Sequence, residues 1–313
     1  MFILTCVIVF ILAFAASVLF KLKGGFRKKD EYSVEMTEEV GTLIRDLAYG
    51  EDEAQNFDLY LPKDNTRKSY GLVVYLHAGG FTTGDKTDDT KTLAWLCSKG
   101  YVAAGINYTL FGEKNPNANV YTQSVEVKNC MPYIMEEAAK HGYNITEMSI
   151  GGGSAGCALA LIYAYRDKDT SPVPVRMAYG AVGPTSYYPE DWKCFGFDKN
   201  PEAGVGLFSV MTGNTITTEM IGTAEYDEAI KNVSPLLWVD KNTVPTVLAY
   251  GAHDKMQSFE ASARLACALR KNGIDYQYYV AEHSGHGLQN DKKVCFQFLQ
   301  AVEEYLEKYM PRK

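Results

Sequence analysis

The stretch GGGSAGC (residues 151–157) sets one serine among residues with little or no side-chain bulk, between the runs NITEMSI (144–150) and ALALIYAY (158–165). The first run is apolar enough for a buried strand and the second has helical spacing, so Gly152-Gly153-Ser154-Ala155-Gly156 is a G-x-S-x-G sequence at a strand-to-helix turn. A serine on such a turn is held at strained dihedrals. The positions two before and two after it must then lack a Cβ that would collide across the turn, which accounts for Gly152 and Gly156. The helix that starts here aims its free amides and the positive end of its dipole at the serine, which favours negative charge developing beside it.

Working outward, the chain alternates strand-like and helix-like segments without an internal repeat. GTLIRDLAYG and NFDLYLP read as an opening antiparallel pair. Short apolar runs recur at YGLVVYLHAGG, GYVAAGINYTL, TEMSIGGG, VRMAYGAVG, VPTVLAYGAHD and IDYQYYVAEHSGHG, each near a turn signal. Helical spacing appears in VYTQSVEVKNCMPYIMEEAAKHG, AGCALALIYAYRD, SFEASARLACALRKNG and KKVCFQFLQAVEEYLEKYM. This order predicts an α/β protein with a mainly parallel central sheet covered by helices on both faces. Residues 41–313 are expected to form that domain, and a segment at about 186–232 interrupts its rhythm as an insertion. Its aromatic residues, among them Tyr187, Tyr188, Trp192, Phe195 and Phe208, either line a substrate site or pack on themselves.

The loop LHAGGF, directly after the strand GLVVYL, supplies a second element of the same chemistry. Bare glycine amides can approach an oxygen that bulkier residues would screen, so Gly79 and Gly80, with the amide of Ala155, are the expected oxyanion donors. Phe81 beside them, with Tyr188 and Trp192 from the insertion, completes the expected substrate-binding set. A serine hydroxyl is a weak nucleophile at neutral pH and needs an imidazole oriented by a carboxylate. Of the five histidines, His77 belongs to the glycine loop and is expected to be structural, while His141 ends a helix and His253 lies beside an acidic residue after a strand. His286 sits in a glycine-flanked loop after the last strand and is the expected base, whereas His283 is expected to complete or pack that strand's end. Asp254 follows the strand VPTVLAYG at its C-terminal end, and Asp240 precedes it at the wrong edge. The order Ser154, Asp254, His286 is that of an α/β-hydrolase.

From about residue 56 to the C-terminus the chain resembles the α/β-hydrolase esterases and lipases of the hormone-sensitive-lipase-like and feruloyl-esterase-like (BD-FAE-type) groups. FDLYLPK, VVYLHAGGFTTGDK, GYVAAGINYTL, IGGGSAGCALA, SPLLWVDKNTVPTVLAYGAHD and HSGHG occur in that family's order. The resemblance implies a serine hydrolase acting on small-molecule carboxylic esters through an acyl-enzyme, with Ser154, Asp254 and His286 as triad and Gly79, Gly80 and Ala155 as oxyanion hole. It implies no metal and no organic cofactor. The same triad also permits hydrolysis of an amide or peptide bond, and a non-catalytic binding protein on this scaffold is the further alternative, against which the intact set of catalytic residues argues. The resemblance implies a cap-like insertion over the pocket at about 186–232. Three positions depart from the family pattern: Ala78 replaces the first glycine of its His-Gly-Gly-Gly loop, Gly153 replaces an acidic or histidine residue, and Thr109 stands where relatives commonly carry arginine.

Charge and composition exclude other classes. A net charge of −7 leaves no basic stripe for a phosphate backbone, so nucleic acid is not an expected partner. The seven cysteines (Cys6, Cys97, Cys130, Cys157, Cys194, Cys267, Cys295) are scattered, odd in number and not at zinc-ligand spacing, which favours small core hydrophobes in a reducing compartment. Residues 1–20, MFILTCVIVFILAFAASVLF, are long enough at ~1.5 Å per residue to span a hydrocarbon core of ~30 Å. Lys21, Lys23, Arg27, Lys28 and Lys29 follow in the polar linker 21–40. That arrangement predicts an uncleaved single-pass anchor with the hydrolase on the cytoplasmic side, against the alternative of a cleaved signal at Ala13-Phe14-Ala15 and a secreted enzyme.

Overall fold

A computed structural model describes residues 31–312. The expected anchor over residues 1–20 and much of the linker lie outside the described residues. Eight strands form one sheet: β1 (Gly41–Ala48), β2 (Asn56–Pro62), β3 (Tyr70–Leu76), β4 (Val102–Ile106), β5 (Ile145–Gly153), β6 (Val175–Ala181), β7 (Thr246–Gly251) and β8 (Tyr276–Ala281). Their order is β1-β2-β4-β3-β5-β6-β7-β8. The first pair and the β2–β4 pair are antiparallel, and every later pairing is parallel, so the opening hairpin is an antiparallel extension of a parallel sheet.

Among the described residues seven α-helices accompany the strands, six between them and the last after β8: α1 (Thr90–Ser98), α2 (Val120–Lys140), α3 (Ala155–Ile162), α4 (Pro201–Thr212), α5 (Ala224–Lys231), α6 (Phe259–Lys271) and α7 (Lys292–Tyr309). Because strand side chains alternate, Leu72, Val74 and Leu76 of β3 enter one core with α2, α3 and α6, while Val73 enters a second core with α1 and α7. Both faces are thus covered, and the parallel strands read as continuous apolar runs. The helix α1 has no counterpart in the sequence reading. Its buried residues Leu93, Ala94, Trp95, Leu96 and Cys97 are contiguous and show no helical period. The parallel pairing of β3 with β4 nevertheless requires a crossover there.

Between β6 and β7 the chain leaves the sheet and builds α4, α5 and short 3₁₀ segments, including Pro189–Phe195. This is where the sequence rhythm breaks.

Candidate active site

Ser154 stands between β5 and α3 with φ 52° and ψ −117°. Its amide donates to the Ala181 carbonyl of the neighbouring strand at 2.9 Å, which holds the turn against the sheet. The flanking glycines are demanded by space. A Cβ on Gly156 would lie 2.0 Å from the Leu76 carbonyl oxygen, and one on Gly152 would lie 2.5 Å from the backbone of Gly156. Gly153 has room, since its nearest neighbour would be the Tyr75 hydroxyl at 3.6 Å. The departure at that position therefore costs the turn nothing.

The ends of β7 and β8 bring the other two residues in. Gly251 closes β7 so tightly against the following loop that a Cβ there would lie 2.3 Å from the Gly285 carbonyl oxygen. The amides of Ala252 and His253 donate to Ala281 and Ser284 across the gap, each at 3.0 Å. This stitching joins the Asp254 turn to the His286 loop. Asp254 accepts the amides of Met256 (2.7 Å) and Gln257 (3.0 Å) on Oδ1, which aims Oδ2 at His286 Nδ1, 2.8 Å away. His286 Nε2 lies 2.8 Å from Ser154 Oγ. A hydroxyl, an imidazole and a carboxylate thus form one continuous line. The Asp254 side chain is 1% exposed and that of His286 12%, so the carboxylate is shielded from water while the imidazole edge stays reachable.

The His286 loop has a second support that the sequence did not reveal. Asp291 Oδ2 accepts the His283 amide (2.9 Å) and the Ser284 hydroxyl (2.5 Å), and the Ser284 hydroxyl accepts the Asn290 amide at 3.0 Å. The Ser284 hydroxyl, with the His283 amide, holds the Asp291 carboxyl below its ordinary value. An aspartate just before a helix marks only the helix start, so no local signal in the sequence pointed to this role. His283 itself is exposed rather than packed against the strand end, which corrects the sequence expectation: its backbone, not its imidazole, does the bonding. Asp240 lies in its own turn before β7, accepting the Asn242 amide.

His77 is 1% exposed, stacks on Tyr108 with ring centroids 4.4 Å apart, and donates from Nδ1 to the Ala78 carbonyl at 2.8 Å. Burial pushes its pKa down, while the bond to the Ala78 carbonyl works the other way. The glycine loop follows it. The Gly79 carbonyl accepts the amides of Thr82 (3.2 Å) and Thr83 (3.0 Å). In a trans peptide the N–H points opposite the carbonyl, so the Gly80 amide faces away from that turn, and it donates to no acceptor among the described residues. The Ala155 amide opens α3, where a helix has no internal acceptor to offer. Phe81 follows with φ 68° and is 7% exposed.

The two insertion residues behave differently from Phe81. Trp192 is 4% exposed, donates from Nε1 to the Ser186 carbonyl at 3.1 Å, and packs edge-on against Phe208 at 5.4 Å. Tyr188 is half-buried, stacks on Tyr226, and donates to Asp227 at 2.7 Å. Of the two readings offered for the insertion aromatics, packing on themselves describes Tyr187, Trp192 and Phe208. Asp191 pairs with Arg264, and Lys193 lies 2.5 Å from Glu260, so the insertion is tied to α6. Among the described residues no group of three or more His, Cys, Asp or Glu is arranged to hold a metal ion.

Esterase B from Lactobacillus rhamnosis superimposes with a TM-score of 0.66 at 18% identity, over 94% of this chain and 95% of that one. "Dipeptidyl peptidase family member 6" from Caenorhabditis elegans is 25% identical over 228 residues, 70% of this chain and 28% of its own length. Esterase LipC from Mycobacterium tuberculosis is 22% identical over 249 residues, 78% of this chain and 59% of its own. The chain spans less than two thirds of either curated relative. The BD-FAE family model matches residues 57–269, a span that includes the glycine loop, the Ser154 elbow and Asp254 and stops short of His286. With an eight-stranded, mainly parallel sheet and that match over most of its length, the chain belongs to the BD-FAE family of α/β-hydrolases.

Proposed function

We propose that this protein is a serine hydrolase that cleaves carboxylic esters of small molecules through an acyl-enzyme. The observation that carries the reading is the unbroken Ser154–His286–Asp254 line, with 2.8 Å at both contacts. Ser154 Oγ attacks the ester carbonyl carbon as its proton passes to His286 Nε2. Asp254 holds the Nδ1–H tautomer and stabilises the imidazolium that results. The carbonyl oxygen becomes an oxyanion received by the amides of Gly79, Gly80 and Ala155. Collapse of the tetrahedral species breaks the bond to the alcohol, which takes the proton from Nε2. A water then repeats the sequence on the acyl-enzyme and returns the serine. No metal or organic cofactor takes part in these steps.

The segment from about residue 186 to 232 is read as a cap beside this centre, with Phe81 and Tyr188 the candidates to meet substrate and Trp192 holding the cap's interior. Residues 1–20 are read as a membrane anchor with the hydrolase on the cytoplasmic side, a secreted enzyme being the alternative. Amide or peptide hydrolysis is the second reading, favoured by the relative named as a dipeptidyl peptidase. Protein truncated before about Glu31, assayed on p-nitrophenyl esters of increasing length and on matched p-nitroanilides, separates the two. Preference for the esters, lost in Ser154→Ala, supports the first reading; preference for the anilides replaces it with the second.

A further inference from the structure

Resting on that reading, we infer that Gln123 is a positioning residue that sets the direction of the Gly80 amide in the oxyanion hole. Gln123 lies in the first turns of α2 and is fully buried. Its Nε2 donates to two carbonyls at once, Phe81 at 2.9 Å and Thr109 at 2.8 Å. Its Oε1 has no hydrogen-bond partner among the described residues. The donor end of the amide is therefore the end that the surroundings use.

The effect reaches Gly80 through two peptide planes. Gln123 and the Phe111 amide (3.0 Å) fix the Phe81 carbonyl. The N–H of that same peptide unit belongs to Thr82 and points the other way, into the Gly79 carbonyl. Fixing the Gly79 carbonyl in turn fixes the opposite end of its own peptide unit, the Gly80 N–H. Phe81 holds a positive φ of 68°, a conformation that a non-glycine residue keeps only when its surroundings impose it. One turn along α2, Glu126 Oε2 accepts the Thr109 amide at 2.6 Å, so the helix grips Thr109 by both its N–H and its carbonyl. Two side chains of α2 thus secure that loop through the backbone of Thr109.

Gln123→Met keeps size and removes both donors, so it should lower kcat by about tenfold or more, less than the loss of a whole oxyanion donor, because the amide is misdirected rather than absent. KM for a p-nitrophenyl ester should change by less than about twofold, since the ground-state carbonyl makes little use of the donor. Affinity for a trifluoromethyl ketone, which forms the tetrahedral adduct, should fall in step with kcat/KM. A residue that only supports the fold would lower the unfolding midpoint without this split. Wild-type kcat, a loss confined to KM, or an unchanged affinity for the ketone would each overturn the inference. Should Gln123→Met fail to fold, Gln123→Asn, which keeps the amide one methylene short, is judged by the same three readouts. Ser154→Ala is assayed alongside: turnover surviving there removes the underlying reading, whereas an inactive Ser154→Ala beside an unaffected Gln123→Met removes the clamp alone.

Discussion

Ser154 holds a φ of 52° that costs a non-glycine residue roughly 1–3 kcal/mol, and the packing of Gly152 and Gly156 against neighbouring backbone keeps it there. That strain was readable, because glycines two before and two after a serine have few other uses at a strand-to-helix turn. Asp254 and His286 were readable by chain order, although they stand 32 residues apart and belong to separate loops. Gln123 and Asp291 were not. A glutamine in a helix and an aspartate before one carry no local sign of the carbonyl or hydroxyl they will meet, since only the tertiary register brings the two together. The two histidines of the last loop give the sharpest contrast at this scale. His286→Ala should reduce turnover by about three or more orders of magnitude, whereas His283→Ala, which loses only an exposed imidazole, should stay within about threefold of wild type. Steady-state rates on one p-nitrophenyl ester decide it, and a larger loss at position 283 would reverse the assignment.

Elements were legible where their pattern was long and periodic, as in α2 and α7, and illegible where burial was complete or packing local. Five of the nine residues of α1, from Leu93 to Cys97, form a contiguous apolar run, so nothing in its spacing separates it from a strand. The insertion could be seen only as an interruption, because its aromatics contact one another instead of following a sheet or helix period. The edge of the sheet has a chemistry of its own. Asp275, just before β8, accepts Tyr305 (2.6 Å), Lys308 (2.6 Å) and Tyr309 from the last turns of α7. Burial works to raise its pKa, but the bonds from Lys308, Tyr305 and Tyr309 outweigh it and bring the carboxyl from 3.8 to about 2. A carboxyl whose folded pKa lies below its unfolded value stabilises the fold above the unfolded value, and that contribution disappears as pH falls through the folded one. The staple between β8 and α7 should therefore weaken between pH 3.8 and about 2. Unfolding midpoints followed over this window should fall less steeply with acid in Asp275→Asn than in wild type. Equal slopes would mean that the staple contributes nothing to the linkage.

At the scale of the whole molecule, the α/β class and the parallel sheet followed from strand–helix alternation, and the net charge of −7 agrees with a substrate that is not a polyanion. The described cysteines, Cys97, Cys130, Cys157, Cys194, Cys267 and Cys295, are all free thiols, and four of them are buried. Among the described residues no helix is long and apolar enough to cross a membrane, and the proposed anchor, residues 1–20, lies outside them. Full-length protein should remain in the membrane pellet after carbonate extraction, while the chain truncated before Glu31 should be released with unchanged kcat. Full-length protein in the supernatant would contradict the anchor.

The chemistry itself is tested most directly at one oxygen atom. Ser154 Oγ should displace fluoride from an alkyl fluorophosphonate, giving up its proton to His286, and carry a stable phosphonyl ester located by mass spectrometry of the peptide that contains residues 151–157. The adduct is expected at Ser154 alone, with ester hydrolysis lost in parallel and neither reaction seen in Ser154→Ala. An adduct on another residue, or hydrolysis that survives both the adduct and the substitution, would contradict a serine hydrolase centred on Ser154.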